Sequence, residues 1–256
     1  IMDFDNKLWE LKYNSFGEEC LIYKGPKDKP VSLHCSKSMH PYFKGQFKKG
    51  FSLQEFDTSE LTDFSYMFFG CTLPEGFSLG TSFNTESAIC MDHMFYMCKF
   101  NDDFAFPEGF STNSVRSLRY MFAHSRFSNK LQLPNEFSQA LDVTGVFSNT
   151  VISPDNLAST IIAPKAQFAS RMFERCLVNG DFTLGLDLKN VMDASHLFEM
   201  TQFSNDPIMP ASLDFRKAKT LNNLLTGCNK VKEISKKLLL PPEITVEQLY
   251  EHDKTE

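Results

Sequence analysis

The stretch YMFFGC, residues 66–71, decides the fold, because its pattern returns along most of the chain. We call Phe68, which directly follows Met67, the anchor of this copy. In the other copies the anchor also follows a methionine or an aliphatic residue. Successive anchors are 27, 27, 25, 26, 25 and 27 residues apart, and the last one is a leucine. The anchors are Phe68, Phe95, Phe122, Phe147, Phe173, Phe198 and Leu225. A period in this range predicts a solenoid, in which each repeat forms one coil that stacks on its neighbours.

The copies also agree in chemistry at fixed distances from the anchor. Positions −7, −4 and −1 are apolar in every copy, and position +3 is Cys, Ser or Thr. Spacings of three and four residues place side chains on one face of an α-helix. Short alternating segments between the anchors, such as FSLQEF (51–56) and DFTLGLDL (181–188), are typical of strands. The pattern therefore predicts one short strand and one helix in each coil.

The predicted fold class is α/β, a leucine-rich-repeat-like solenoid of about seven to eight coils of short strand plus helix, stacked into a parallel sheet. Residues 1–46 are predicted to form an N-terminal cap, residues 47–230 the repeat solenoid and residues 231–256 a C-terminal cap. Thr245 and Gln248 have the spacing of a capping box, which predicts a short final helix.

The overall composition narrows the function classes. The chain has 256 residues and a net charge of −6, which disfavours nucleic acid, because a phosphate backbone requires a basic face. No stretch is apolar and long enough to predict a membrane span, and the start lacks the apolar segment of a signal peptide. Seven cysteines is an odd number, which favours reduced thiols and hence the cytoplasm or an anaerobic setting.

One repeat resembles a known family closely. FDTSELTDFSYMFFGC (56–71) is similar to the 26-residue repeat of BspA-like bacterial surface proteins, and CKFND (98–102) and RFSN (126–129) resemble the end of that repeat. The resemblance extends over roughly residues 47–230. It implies a leucine-rich-repeat-like solenoid, a place on the bacterial cell surface, and a role in adhesion, host contact or other protein binding.

Residues with catalytic or metal-binding chemistry form only weak patterns. His34, Cys35 and His40 are the one local group of Cys and His, and no second ligand pair with zinc-site spacing accompanies them. Cys35 with His40, or Cys98 with His93, could be drawn as a catalytic dyad, but the sequence indicates no orienting Asn or Asp. Phosphate-binding glycine motifs are absent. We therefore expect no catalytic residues, no metal and no cofactor.

The face of the predicted helix opposite the apolar stripe carries aromatic residues in the first coils. At positions −2 and +1 these are Tyr66, Phe69, His93, Tyr96 and Tyr120, whereas later copies are polar. Such a strip predicts a partner-binding site, although Tyr at −2 could equally be a habitual residue of the repeat that stacks on its neighbour.

Two functional hypotheses remain open, and an enzyme is a weaker third. The first is a non-enzymatic, protein-binding solenoid with a role in surface adhesion or cell contact. The second is an intracellular binding protein, such as a toxin-neutralising immunity protein or a delivered effector, whose acidic charge would suit a basic protein partner.

Overall fold

The computed structural model describes residues 3–251 and forms a β-solenoid of about eight coils. The first two residues of the predicted N-terminal cap and the last five of the C-terminal cap lie outside the described residues. The strands are β1 (Trp9–Tyr13), β2 (Glu19–Tyr23), β3 (Pro30–His34), β4 (Pro41–Tyr42), β5 (Ser52–Asp57), β6 (Val151–Ile152), β7 (Ile161–Ile162), β8 (Leu177–Val178), β9 (Leu186–Asp187), β10 (Gln202–Phe203), β11 (Leu213–Asp214) and β12 (Leu238–Leu239). Within this part of the chain, the helices are α1 (Val231–Ser235) and two 3-10 helices, Pro154–Asn156 and Val246–Leu249.

The coils stack in register through parallel backbone pairing. One column of parallel bridges runs through position −5 of seven successive coils, joining Asp63, Cys90, Ser117, Asp142, Phe168, Asp193 and Thr220. A second column of bridges at position +4 links Thr72, Lys99 and Arg126, and the same position in the later coils lies in the sheet β6–β8–β10. The pairs β3–β5, β7–β9 and β11–β12 are also parallel. Because the pairing is in register, equivalent residues of successive coils lie directly above one another.

The helix predicted in each coil is wrong. From Phe64 to Cys71 the chain makes overlapping β-turns, in which the amides of Met67, Phe69 and Cys71 donate to the carbonyls three residues before them. The alternate amides, such as that of Phe68, donate to the next coil. Overlapping turns bury residues at a spacing of three, as one face of a helix does, so the apolar pattern alone did not distinguish the two structures. The leucine-rich-repeat detail therefore fails, whereas the parallel solenoid is confirmed.

The apolar positions form the core as the sequence predicts. The anchors and positions −7, −4, −1 and +3 are at most 8% exposed in all seven copies. The phenylalanine anchors stack face to face along the axis, beginning with Phe43 on Phe68 at 5.1 Å and Phe68 on Phe95 at 5.5 Å between ring centroids. The stack continues to Phe198, so one column of rings runs through the centre of the solenoid.

Separate elements cover the two ends of the solenoid. At the start, β1 and β2 form an antiparallel hairpin, and β2 pairs in parallel with β4 of the first coil. At the end, the backbone amide of Leu225 donates to the carbonyl of Leu249 in the second 3-10 helix. The amide of Thr245, which precedes that helix, donates to the side chain of Gln248 at 2.8 Å. Each end of the solenoid is thus joined to its covering element by backbone hydrogen bonds.

Candidate functional site

The aromatic residues at position −2 have a backbone conformation that is unusual for large side chains. Tyr66, His93 and Tyr120 have φ values of 61°, 55° and 54°, in the left-handed region. Each is the third residue of a β-turn closed by a backbone hydrogen bond, for example from Met67 N–H to Phe64 C=O. A non-glycine residue in this conformation costs about 1 kcal/mol. The turns of the solenoid therefore impose this geometry in successive coils.

The first aromatic column consists of these three side chains. The ring of Tyr66 stacks on the imidazole of His93, with 4.8 Å between centroids and 4° between planes. Tyr120 lies on the other side of His93 at 5.4 Å. Tyr42 continues the column towards the N-terminal cap, with its ring centroid 6.2 Å from that of Tyr66.

A second column runs beside the first at position +1. Phe69 stacks on Tyr96 with 5.0 Å between centroids and 7° between planes. His124 then meets Tyr96 edge-on at 5.3 Å. The two columns are in contact, since Tyr66 lies 5.6 Å from Phe69. The five predicted strip residues therefore form one stacked surface, and we call it the aromatic strip (Tyr66, Phe69, His93, Tyr96 and Tyr120).

The strip is only partly exposed. Phe69 is 39% exposed, and the other four residues are half-buried. Ala123, which occupies position +1 in the fourth coil, is fully buried, contrary to the outward direction predicted for that position. The rings thus present edges and parts of their faces to solvent, while their stacked faces are already packed.

The strip ends in the fifth coil, where position −2 is Gly145. A Cβ built on Gly145 would overlap the ring of Tyr120, so that ring lies across the glycine backbone. Beyond it, Arg171 forms an ion pair with Glu174 at 2.8 Å. The surface therefore changes at this point from aromatic to charged.

A groove of about 490 Å³ adjoins the other end of the strip. The turn between β1 and β2 forms one wall with Phe16, which is 77% exposed, and Tyr42, Tyr66 and Phe69 form the opposite wall. Lys44 lies at its margin. Phe16, Tyr42 and His124 were not predicted as site residues. Tyr42 precedes Phe43, a weaker copy of the anchor, but no sequence signal brings Phe16 to this surface.

Burial and nearby charge shift the pKa values of Tyr66 and His93 in the strip. Burial raises the pKa of Tyr66, and the carboxylate of Asp92 adds to that shift. Burial also lowers the pKa of His93, because a charged imidazolium is disfavoured between two rings, while Asp92 opposes that shift. Asp92 is held in place by the hydroxyl of Ser117, which donates to it at 2.6 Å. At neutral pH the imidazole of His93 is therefore uncharged, and the carboxylate of Asp92 lies beside it.

The cysteines are free and poorly suited to nucleophilic chemistry. All seven are unpaired thiols, and burial raises the pKa values of Cys35 and Cys71 to about 12. Cys98 is fully buried, and its pKa is also raised well above the usual value. His93 makes no hydrogen bond to Cys98, and His40 makes none to Cys35; His40 instead contacts Ser65. A thiolate nucleophile is therefore scarce at each of these positions.

The sequence group of His34, Cys35 and His40 is not assembled into a site. His34 is exposed and lies 2.9 Å from Asp57, Cys35 is buried, and His40 lies against the second coil. Their proximity in sequence does not produce a common centre, because the side chain of His34 pairs with Asp57 at the surface whereas that of His40 pairs with Ser65.

Residues 37–159 match a family model described as Mycoplasma protein of unknown function, DUF285. The matched segment begins just before the first coil and includes the whole aromatic strip. No curated protein and no solved structure matches this chain significantly. Within residues 3–251 no helix is long and apolar enough to cross a membrane.

Proposed function

We propose that this chain is a non-enzymatic, protein-binding solenoid and that the aromatic strip, with the adjoining groove, is its contact surface. The observation that carries the proposal is the pair of stacked ring columns, which extends over three coils and is partly open to solvent. Contiguous apolar surface left open on a folded chain often marks a site that another molecule covers.

The stacking itself favours binding. Tyrosine and other aromatic residues are enriched at the centres of protein interfaces, where they bury large areas. Tyr66, His93 and Tyr96 are each held by neighbouring rings, so they lose little side-chain freedom when a partner binds. The exposed ring of Phe16 provides a further apolar contact at the end of the strip.

The charge favours a basic protein as partner. The chain has a net charge of −6, and the half-buried Asp63 and Asp92 lie beside the first column. A partner with a positive patch would be attracted over a distance, and such steering weakens as salt is added. We therefore expect the association rate to fall with increasing ionic strength.

Two biological settings are consistent with this function. The resemblance of residues 56–71 to the BspA-like repeat favours surface adhesion or host contact. The acidic charge and the seven free thiols favour an intracellular binding protein instead, such as an immunity protein that neutralises a basic toxin, or a delivered effector. Enzymatic activity is the weakest alternative, because the raised thiol pKa values oppose a cysteine nucleophile.

The proposal is tested with a partner isolated by affinity capture and then purified. We expect the double variant Phe69→Ala, Tyr96→Ala to bind that partner at least about tenfold more weakly, since centrally placed aromatic contacts contribute most of the binding energy. The matched control is Phe168→Ala, Leu177→Ala, which removes two other exposed apolar side chains further along the solenoid. Unchanged affinity in the strip variant, with both variants folded, would refute the assignment of this surface.

A further inference from the structure

The N-terminal hairpin meets the first two coils at a cluster of one histidine and two carboxylates. Glu18 lies just before β2, the returning strand of the hairpin, His40 just before β4 and Asp63 in the next coil. One ligand atom from each of these residues lies within 4.8 Å of those of the other two. We propose that Glu18, His40 and Asp63 bind a divalent transition-metal ion such as Zn²⁺.

The distances fit a small metal ion. His40 Nε2 lies 3.4 Å from the Oδ1 atom of Asp63. Two ligands that each lie about 2.0 Å from a tetrahedral zinc ion are roughly 3.3 Å apart, so this pair needs almost no movement. The side chain of Glu18 is exposed, and a change of rotamer closes the remaining distance. Three protein ligands leave one position of the ion for water or for a ligand from a partner.

The charges at the cluster also favour a cation. Two carboxylates converge on an imidazole that is only 7% exposed. Within the described residues neither Glu18 nor Asp63 forms an ion pair with a lysine or an arginine, and the single ion-pair contact of Asp63 is with His40. Converging carboxylates repel each other unless a positive charge lies between them. A bound divalent ion would supply that charge.

Neighbouring groups already hold the proposed ligands in place. The amide of Ser65 donates to Asp63 Oδ1 at 2.9 Å. The side-chain amide of Asn14 donates to Glu18 at 3.4 Å, and its oxygen accepts the backbone amide of Glu18 at 3.0 Å. Such outer contacts orient metal ligands and strengthen binding. His40 Nε2 lies 2.8 Å from the hydroxyl of Ser65 and 3.1 Å from its carbonyl oxygen, and metal binding through that nitrogen exchanges these two contacts for a coordinate bond.

The ligand types indicate which metal is preferred. An imidazole nitrogen with two carboxylates suits Zn²⁺ and related transition-metal ions, whereas Ca²⁺ and Mg²⁺ are bound through oxygen. Because the ligands come from the hairpin and from two coils, the ion would join the cap to the solenoid. It would also fix the hairpin turn that carries Phe16 at the wall of the groove.

Zinc binding is measured on tag-free full-length protein by titration calorimetry and by thermal unfolding with Zn²⁺ or with EDTA. We expect one saturable site, a higher unfolding temperature with Zn²⁺, and a loss of affinity of at least about tenfold in Glu18→Gln and in Asp63→Asn. Glu18 is exposed, so Glu18→Gln should fold normally. The matched control is Glu19→Gln, an exposed neighbour on the same hairpin that is outside the cluster.

Two further measurements exclude other zinc sites. His34→Gln removes an exposed histidine that also faces two carboxylates, and it should leave zinc binding unchanged. Co²⁺ replaces Zn²⁺ for absorption spectroscopy, and the cluster should give spectra without thiolate charge-transfer bands, because its ligands are nitrogen and oxygen. Absence of saturable binding, thiolate bands, or unchanged affinity in folded Glu18→Gln would overturn the proposal.

Discussion

The phenol ring of Tyr66 lies flat on the imidazole of His93, with 4° between the ring planes. The two residues hold the same position in adjacent coils, and parallel in-register pairing brings them together. With Tyr120 on its other side, His93 is half-buried between two phenol rings. The aromatic strip therefore exists because the coils stack in register. Measurements on His93 test the strip and the stacking together.

The titration of His93 is the first test. Burial lowers its pKa from the usual 6.5, and we expect Tyr66→Ala to raise it towards that value by admitting water. Chemical shifts of the imidazole protons, followed by NMR as a function of pH, measure the pKa of His93 in the native protein and in the Tyr66→Ala variant. The folded protein binds this proton less readily than the unfolded chain does. The contribution of His93 to stability is therefore complete above about pH 6.5 and declines as the pH falls below it.

A His93→Gln variant is the control for that pH dependence. Its free energy of unfolding should decrease less than that of the native protein as the pH falls from neutrality to the lowered pKa. An identical decrease in both proteins would show that other groups cause the effect.

Substitution of Gly145 tests whether the ring of Tyr120 lies against the backbone of this glycine. Gly145→Ala places a methyl group against the Tyr120 ring and requires alanine at a φ of 65°. Gly70→Ala is the matched control, because Gly70 has a φ of 70° and no atom lies within 4 Å of the position that the added methyl group would take. We expect Gly70→Ala to cost about 1 kcal/mol of unfolding free energy from the backbone alone, and Gly145→Ala to cost more.

A double-mutant cycle isolates the ring contact. In a Tyr120→Ala background the cost of Gly145→Ala should fall to that of Gly70→Ala, as chemical denaturation would measure. Equal costs of Gly145→Ala with and without the Tyr120 ring would contradict the position of that ring.

The hydrogen bond made by the buried side chain at position +3 should contribute to the free energy of unfolding. Thr201 is fully buried, and its hydroxyl donates to the carbonyl of Phe173, the anchor of the preceding coil, at 2.6 Å. The thiol of Cys71 contacts the carbonyl of Phe43 in the same way at 3.1 Å. Thr201→Val keeps the shape and removes the donor, so we expect a loss of about 1 kcal/mol in the free energy of unfolding. No loss of unfolding free energy in folded Thr201→Val would show that this hydrogen bond is unimportant.

The thiols should react slowly in the folded protein. Burial raises the pKa of Cys90 to about 12 and that of Cys176 to about 11, so few thiolates exist near neutral pH. Labelling with a thiol reagent should be slow under native conditions and complete after unfolding in guanidinium. Rapid labelling of a buried cysteine in the native state, located by peptide mass spectrometry, would be incompatible with this packing.

Much of the architecture could be predicted from the sequence. The anchor period indicated the coils, and the shared chemistry of each position correctly indicated the buried face, from Leu61 to Cys228. The local structure could not be predicted in the same way. A spacing of three is common to turns and to helices, and tyrosine, which stands at Tyr66 and Tyr120, is not a residue that usually indicates a left-handed conformation.

The candidate site was predicted in part. Tyr66 and Tyr96 were assigned to the outward face for the wrong reason, a helical wheel, although the turns also leave them partly exposed. Their stacking followed from in-register coils. The groove with Phe16 and the cluster around His40 were not predicted, because each joins the hairpin to coils that are distant from it in sequence. Such contacts depend on how the cap docks, and local sequence spacing carries no information about that.

Site-specific photocrosslinking tests the central claim, that the aromatic strip is the binding surface, most directly. A photoreactive phenylalanine analogue is placed at Phe69 in one protein and at Phe168 in another, since both side chains are well exposed and lie on different coils. The purified partner is then added to each, and the products are identified by mass spectrometry. We predict a crosslink from position 69 and not from position 168. A crosslink from position 168 alone, or equal yields from both positions, would contradict the claim.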